Sequence, residues 1–144
     1  MAGRLGIEVH EKEFVEEIDG LYIRMLGAPP VIAINSSYTK PVARRRFTLA
    51  HEIGHHHLTG KINPDSRLFF FDTARVRRTI IESACDRFAA LLLMPEDLIR
   101  LHHTELTHNA EQRVRIMAER FGVSAWAMRR RLRELKLPYA MRRR

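Results

Sequence analysis

The stretch Arg46-Phe47-Thr48-Leu49-Ala50-His51-Glu52-Ile53-Gly54-His55-His56-His57-Leu58 decides how the rest of the chain is read. Phe47, Leu49, Ala50, Ile53 and Leu58 make it apolar enough for a packed helix, on which residues four apart lie one above the other. His51 and His55 therefore offer two imidazole nitrogens to one metal ion, and Glu52 falls beside that ion, one step round the helix. A carboxylate there takes the proton from a water as it attacks a peptide carbonyl, while zinc acidifies the water and polarises the carbonyl. Gly54 removes the side chain between the two histidines and allows close approach. In a chain with eight His and twelve Glu, three fixed letters arise by chance about 4% of the time. The surroundings must therefore decide between a metal site and incidental histidines.

A catalytic zinc usually has three protein ligands and leaves a fourth position open. The longer pattern H-E-x-x-H-x-x-G-x-x-H requires Gly at position 58 and His at position 61. Leu58 and Lys61 stand there, which excludes the metzincins and sends the search for a third ligand elsewhere in the chain. Thr79 to Pro95 reads as a strongly apolar helix stopped by Pro95. On it Glu82, Asp86, Ala89 and Leu93 share one face. Glu82 is placed to bind the metal, and Asp86 to accept from the second ring nitrogen of His51 or His55. The competing reading pairs both acids with Arg78 and Arg87 at the helix surface, because acids buried without partners are costly.

The segments Arg44-Arg-Arg-Phe-Thr-Leu-Ala-His-Glu-Ile-Gly-His55 and Glu82-Ser-Ala-Cys-Asp-Arg-Phe-Ala-Ala-Leu-Leu-Leu-Met-Pro95 resemble the two signature blocks of the ImmA/IrrE metallo-endopeptidase family. The resemblance extends over roughly residues 5 to 137. It implies a gluzincin-like peptidase with one zinc ion per chain, held by His51, His55 and Glu82, with Glu52 as general base and acid and Asp86 orienting a ligand. It also implies a substrate: a helix-turn-helix repressor of the XRE type, often encoded nearby, whose cleavage or inactivation makes the protein an anti-repressor. Cys85 departs from the pattern, standing where the family usually has Ala. That exchange is small for small, and a thiol one turn from Glu82 also comes within reach of the metal.

The 144 residues suit one compact unit or a domain with a small appendage. A single Cys excludes an intrachain disulfide framework and points to a reducing compartment. The first residues lack an apolar signal core, and no apolar run reaches the 18 residues of a membrane span. A soluble, cytoplasmic protein without a membrane partner is expected.

The net charge of +8 is informative once divided along the chain. Residues 1–109 carry 14 basic and 14 acidic residues; residues 110–144 carry 11 and 3. Gln112 to Gly122 reads as an amphipathic helix with Val114, Met117 and Phe121 on its apolar side and Gly122 as a left-handed cap. Ser124 is a good N-cap for a second helix, Ala125 to Leu135. Helix, tight Gly turn, helix is the layout of a helix-turn-helix. Arg129, Arg130, Arg131 and Arg133 on the second helix, with Arg142-Arg143-Arg144 at the end, fit a surface for nucleic acid or an acidic partner. They fit equally a structural pair with a solvated basic face, whose apolar Trp126, Met128, Leu132 and Leu135 pack inward.

Upstream of the zinc helix, Gly6–Lys12, Gly20–Leu26 and Pro30–Asn35 read as three short strands of a small antiparallel sheet. Val31 to Asn35 can cover the helix or present an edge to an extended substrate. Gly60 and Pro64 bound a loop whose Leu68-Phe69-Phe70-Phe71 reads as a core strand in preference to a flap. His56 and His57 turn away from the His55 face to cap the helix end or meet solvent. Arg44, Arg45 and Arg46 pair with acids or bind substrate. Tyr38 is one of several residues able to approach a substrate oxyanion. His102, His103 and His108 lie in a polar connector, Leu101 to Ala110, without a convincing second metal site.

These readings predict an α+β fold: a three-stranded antiparallel sheet packed on a zinc-binding helical core within residues 1–100. A basic helix-turn-helix-like segment at 110–137 packs on that core, followed by a basic tail at 138–144. The function expected is a zinc endopeptidase acting on a repressor, by cleavage or by triggering its disassembly. The alternative is a non-catalytic DNA- or repressor-binding module with a structural zinc, against which Glu52 argues, since a structural site has no use for it.

Overall fold

β-Branched and aromatic residues between turn signals build a sheet whose two inner strands carry the core. The computed structural model describes residues 2–15, 17–37, 39–62, 67–73, 79–106 and 109–139. Among these, β1 (Glu8–Lys12), β2 (Ile18–Arg24), β3 (Val31–Asn35) and β4 (Leu68–Thr73) form one sheet in the order β1-β3-β2-β4. A turn through Gly27, at φ +75°, joins β2 to β3, where Tyr22 opposes Ile32 in an antiparallel ladder. β4 pairs antiparallel with the other side of β2, bringing Phe70 opposite Tyr22. β1 runs parallel to β3, with Val9 opposite Ile32.

The sheet is thus mixed and four-stranded, which corrects the expected three antiparallel strands. β2 is already paired on both sides, so β1 lies beside β3, and β1 and β3 both run opposite to β2. The same arrangement withdraws β3 as a substrate edge. It is an inner strand, with Ile32, Ala33, Ile34 and Asn35 all buried, whereas β1 is exposed along its whole length. Leu68–Phe71 joins the sheet as a strand, but as an outer one with Phe69 56% exposed, so it is not the core strand expected.

Helix α1 (Val42–Ile62) lies against β2 and β3. Ile53 and Leu49 on α1 close a cluster with Ile7, Tyr22, Ile32, Ile34, Phe70 and Phe88. Fully burying an Ile or Phe side chain contributes about 1.5–3 kcal/mol, so this cluster is the main cohesion of helix and sheet. The close approach needs Gly20: a Cβ there would stand 2.5 Å from Thr48 Cγ2 and 3.3 Å from Glu52 Oε1. Asn35, fully buried, organises the preceding loop. Its Nδ2 donates to the Ile18 carbonyl at 2.7 Å, and its Oδ1 accepts from the Ser37 N–H at 3.0 Å.

The start of α1 is clamped by Asp19, 5% exposed, which accepts from Arg44 and meets Lys40 Nζ at 3.1 Å. Burial alone would push the Asp19 carboxyl up, but the hydrogen bonds from Arg44 and Lys40 outweigh it and hold it below 3.8. A depressed folded value means the clamp's stabilisation is complete above about pH 4 and is lost as pH falls through that value. Asp19→Asn is therefore expected to flatten the loss of stability below about pH 4, as measured by urea midpoints. Parallel pH profiles for the two proteins would show that the clamp contributes nothing.

The chain divides into two compact units, Met1–Ala89 and Ala90–Arg144. Helix α2 (Ile80–Leu93) begins in the first and there crosses α1 at Gly54, where a Cβ would meet Cys85 Cα at 3.2 Å and Phe88 Cδ1 at 3.2 Å. Gly54 thus serves the helix crossing. Gly54→Ala gains roughly 0.5–1 kcal/mol of helix propensity. The new methyl presses on α2 backbone, however, and overpacking of this kind costs about 1–3 kcal/mol. The expected net result is a lower denaturation midpoint together with weaker metal binding. An unchanged metal affinity would show that α2 yields without displacing its acids.

The second unit has its own core of Met94, Ile99, Val114, Met117, Met128 and Leu132. Three helices surround it: α3 (Glu96–Glu105), α4 (Ala110–Phe121) and α5 (Ala125–Glu134). Gly122 caps α4 in the left-handed region at φ 62°, and the Ser124 hydroxyl accepts from the Ala127 N–H at the start of α5. Two expectations change. Half of the supposed connector after Leu101 is helix α3, and Trp126 faces solvent at 64% exposure. Arg131, by contrast, is buried and donates from Nε to the Met94 carbonyl at 3.0 Å.

Candidate metal centre

Successive turns of α1 place the His51 and His55 rings 4.9 Å apart, nearly fully buried. The crossing at Gly54 brings α2 alongside, so Glu82 reaches both rings. Its Oε2 lies 3.1 Å from His51 Nε2 and its Oε1 lies 3.3 Å from His55 Nε2. One turn further on, Asp86 Oδ1 stands 3.1 Å from His51 Nδ1. A carboxylate only accepts, so with an ion on Nε2 of His51, Asp86 would take the Nδ1–H and hold the ring in the tautomer that binds metal.

That arrangement has an electrostatic consequence. In neutral His51, a nitrogen lone pair faces a carboxylate oxygen, which is unfavourable unless a cation lies between them. His55 does not supply the charge: burial first, and the neighbouring His51 second, push it down to about 3. Neutral imidazole is the form that binds metal. A tetrahedral zinc ion with bonds of about 2.0–2.1 Å sets its ligand atoms roughly 3.3 Å apart. The spacings of 3.1 and 3.3 Å between Glu82 and the two rings match that geometry. The donor set fits a divalent ion.

His55 is oriented differently from His51. Its Nδ1 has no hydrogen-bond partner among the described residues, and its ring instead stacks on Phe70 of β4, 4.2 Å away and tilted 17°. The sequence reading missed this support, although the run of three phenylalanines was its signal. Cys85 also enters the cluster: its sulfur and one ligand atom from each of His51 and His55 all lie within 4.8 Å of one another. Burial, then Glu82, Glu52 and Asp86, push this thiol up to about 12, so without a cation it stays protonated. Glu52, fully buried, follows His51 on α1 and rests over Gly20 of β2. One face of α1 thus gathers metal-type donors with a further carboxylate at their side.

The remaining singled-out residues lie elsewhere or outside the described residues. His56 does not end the helix: α1 continues to Ile62, and His56 Nδ1 shares a hydrogen bond with the Tyr22 hydroxyl at 3.0 Å. Burial, Arg24 and His57 together lower His56 below its usual range. His57 stacks on Phe88 at 5.5 Å. Arg44 binds Asp19, and Arg45 Nη1 lies 3.6 Å from Glu11, so both pair with acids. His103 is partnered within the second unit, 3.0 Å from the Pro138 carbonyl, and His102 meets Glu105 at 3.2 Å. No second metal cluster is found among the described residues. Arg129 pairs with Glu111, Arg130 lies 3.4 Å from Glu134, and Arg133 is exposed. Tyr38, Pro64, Arg78, His108 and the tail Arg142–Arg144 lie outside the described residues.

Comparison with known proteins meets this geometry from another side. The IrrE N-terminal-like domain, a peptidase family, matches residues 2–133. A stretch of 69 residues is 44% identical to a protein named radiation response metalloprotease IrrE, from Deinococcus radiodurans. That stretch takes in 48% of this chain and 20% of the relative, so the likeness spans about a fifth of that protein's length.

Proposed function

The chain belongs to the IrrE N-terminal-like domain family of peptidases, and from that premise we propose that it is a zinc-dependent endopeptidase. A metalloprotease family implies a metal, and His51, His55 and Glu82 would hold it. The single observation that carries this reading is the convergence of two imidazole Nε2 atoms on one carboxylate, with Asp86 fixing the tautomer of His51. When bound, the ion supplies Lewis acidity toward water and the scissile carbonyl. Glu52 takes a proton from the attacking water and later gives it to the leaving amine. Buried beside the ligands, it does so where water is scarce and charges interact strongly.

Asp86 is a positioning residue. Because acceptors on metal-binding histidines typically hold 10–100-fold of metal affinity, Asp86→Asn is expected to weaken zinc binding by about that factor. A competition titration against a chromophoric chelator measures it, and an unchanged affinity would remove Asp86 from the site.

The substrate class comes from the family resemblance: a helix-turn-helix repressor of the XRE type, with the protein acting as a cytoplasmic anti-repressor. No described helix is long and apolar enough to cross a membrane. An extended segment of the substrate has a place beside β4, the outer strand that carries Phe70 under His55. The test is incubation of the zinc-loaded chain with such a repressor encoded beside it. One discrete cut, abolished by chelation, is the expected outcome. An intact repressor alongside cleaved unfolded casein would discard the substrate, and intact casein as well would discard the peptidase.

A further inference from the structure

The second unit exposes a surface that the metal centre does not use. On α5, Met128, Arg131 and Leu132 are buried against the unit's core, and Arg131 is committed to the Met94 carbonyl. The opposite stripe carries Trp126, Arg129, Arg130 and Arg133, at spacings of three, four and seven residues that fall on one helical face. Trp126 is 64% exposed with the Arg130 guanidinium 5.8 Å from its ring centroid. Trp126 thus presents a flat aromatic surface to solvent beside a guanidinium group.

We propose that this face of α5 is a docking surface for duplex DNA, held chiefly through phosphates. Three observations favour that occupant. Residues 110–144 hold the whole excess charge of the chain, 11 basic against 3 acidic, which complements a polyanion with one charge per about 1.7 Å of axis. α5 is a ten-residue helix, about 15 Å long and of a width the major groove admits. It follows α4 through the left-handed Gly122 and the Ser124 cap, the layout in which the second helix enters the groove by its N-terminal end. Trp126 sits at that end. Glu111 and Glu134, which pair with Arg129 and Arg130, moderate the attraction. Contact through backbone phosphates, with little base discrimination, is therefore the expected mode.

Trp126 is the only tryptophan in the chain, so intrinsic fluorescence reads this surface alone. The zinc-loaded 144-residue chain is titrated with a mixed-sequence duplex of about three helical turns, at several salt concentrations. The expected result is a saturable change in Trp126 emission and a binding constant whose logarithm falls linearly with the logarithm of salt concentration. Arg133→Gln should lower that slope by about one, with metal content and peptidase activity unchanged. The proposal therefore stands or falls separately from the metal-centre reading. Three results would overturn it: no change in emission at low salt, an unaltered salt slope in Arg133→Gln, or equally tight binding of polyglutamate. The last outcome would assign the face to an acidic polypeptide.

Discussion

Glu52→Gln is expected to leave one zinc ion bound per chain and to lower peptide cleavage by about 10²–10⁴-fold, the usual contribution of a positioned proton-transfer group. Glutamine has the same shape and fills the same fully buried space over Gly20. The packing of α1 on β2 is therefore preserved, and with it the placement of His51 and His55. What disappears is basicity: an amide oxygen does not take a proton from water near neutral pH. The loss should fall on kcat with little change in KM, since the group acts in the transition state and does not anchor substrate. Metal analysis and single-turnover cleavage, measured on the same sample, separate the possibilities. If cleavage persists, the proton goes elsewhere. If zinc is lost together with activity, Glu52 is holding the ion.

The parts of this site that were legible in the sequence are those set by local spacing. Residues four apart on α1 put His51 above His55, and four apart on α2 put Glu82 above Asp86. Gly122 and Ser124 bounded the turn between α4 and α5 by the conformations they favour, and both perform those roles. What sequence did not disclose depends on neighbours distant along the chain. β1 carries a strand pattern, yet nothing in Glu8–Lys12 says that its partner is β3 or that it runs parallel. Phe70 could be recognised as strand-like, but its stacking on His55 depends on β4 pairing with β2. Gly54 could be identified as a close approach, though its neighbour is the backbone of α2. Trp126 was misjudged for a different reason: an apolar residue at helical spacing is normally buried, and here arginines surround it on the exposed stripe. α3 was obscured by its paired histidines, although Glu96 and Asp97 after Pro95 are a start signal.

Glu82→Ala should remove zinc from the protein more completely than Asp86→Asn, because it deletes the only carboxylate that touches both Nε2 atoms among the described residues. The stability consequences differ with metal and without it. With no ion present, Glu82 Oε1 faces Nε2 of His55, a ring that burial keeps neutral. Its removal relieves that opposition, so the metal-free variant should unfold no earlier than the metal-free parent. Zinc at 1,000 times its dissociation constant adds about 4 kcal/mol to a protein that binds it only when folded. The parent should therefore show a large rise in thermal midpoint on adding zinc, and the variant almost none. A variant that unfolds early even in chelator would mean that Glu82 is structural. A variant that keeps one zinc and the full rise would shift the third donor to Cys85, whose sulfur already lies within 4.8 Å of both histidines. The double variant Glu82→Ala with Cys85→Ala would then lose the ion, and a cobalt-loaded single variant would show a sulfur-to-metal absorption band that the parent lacks.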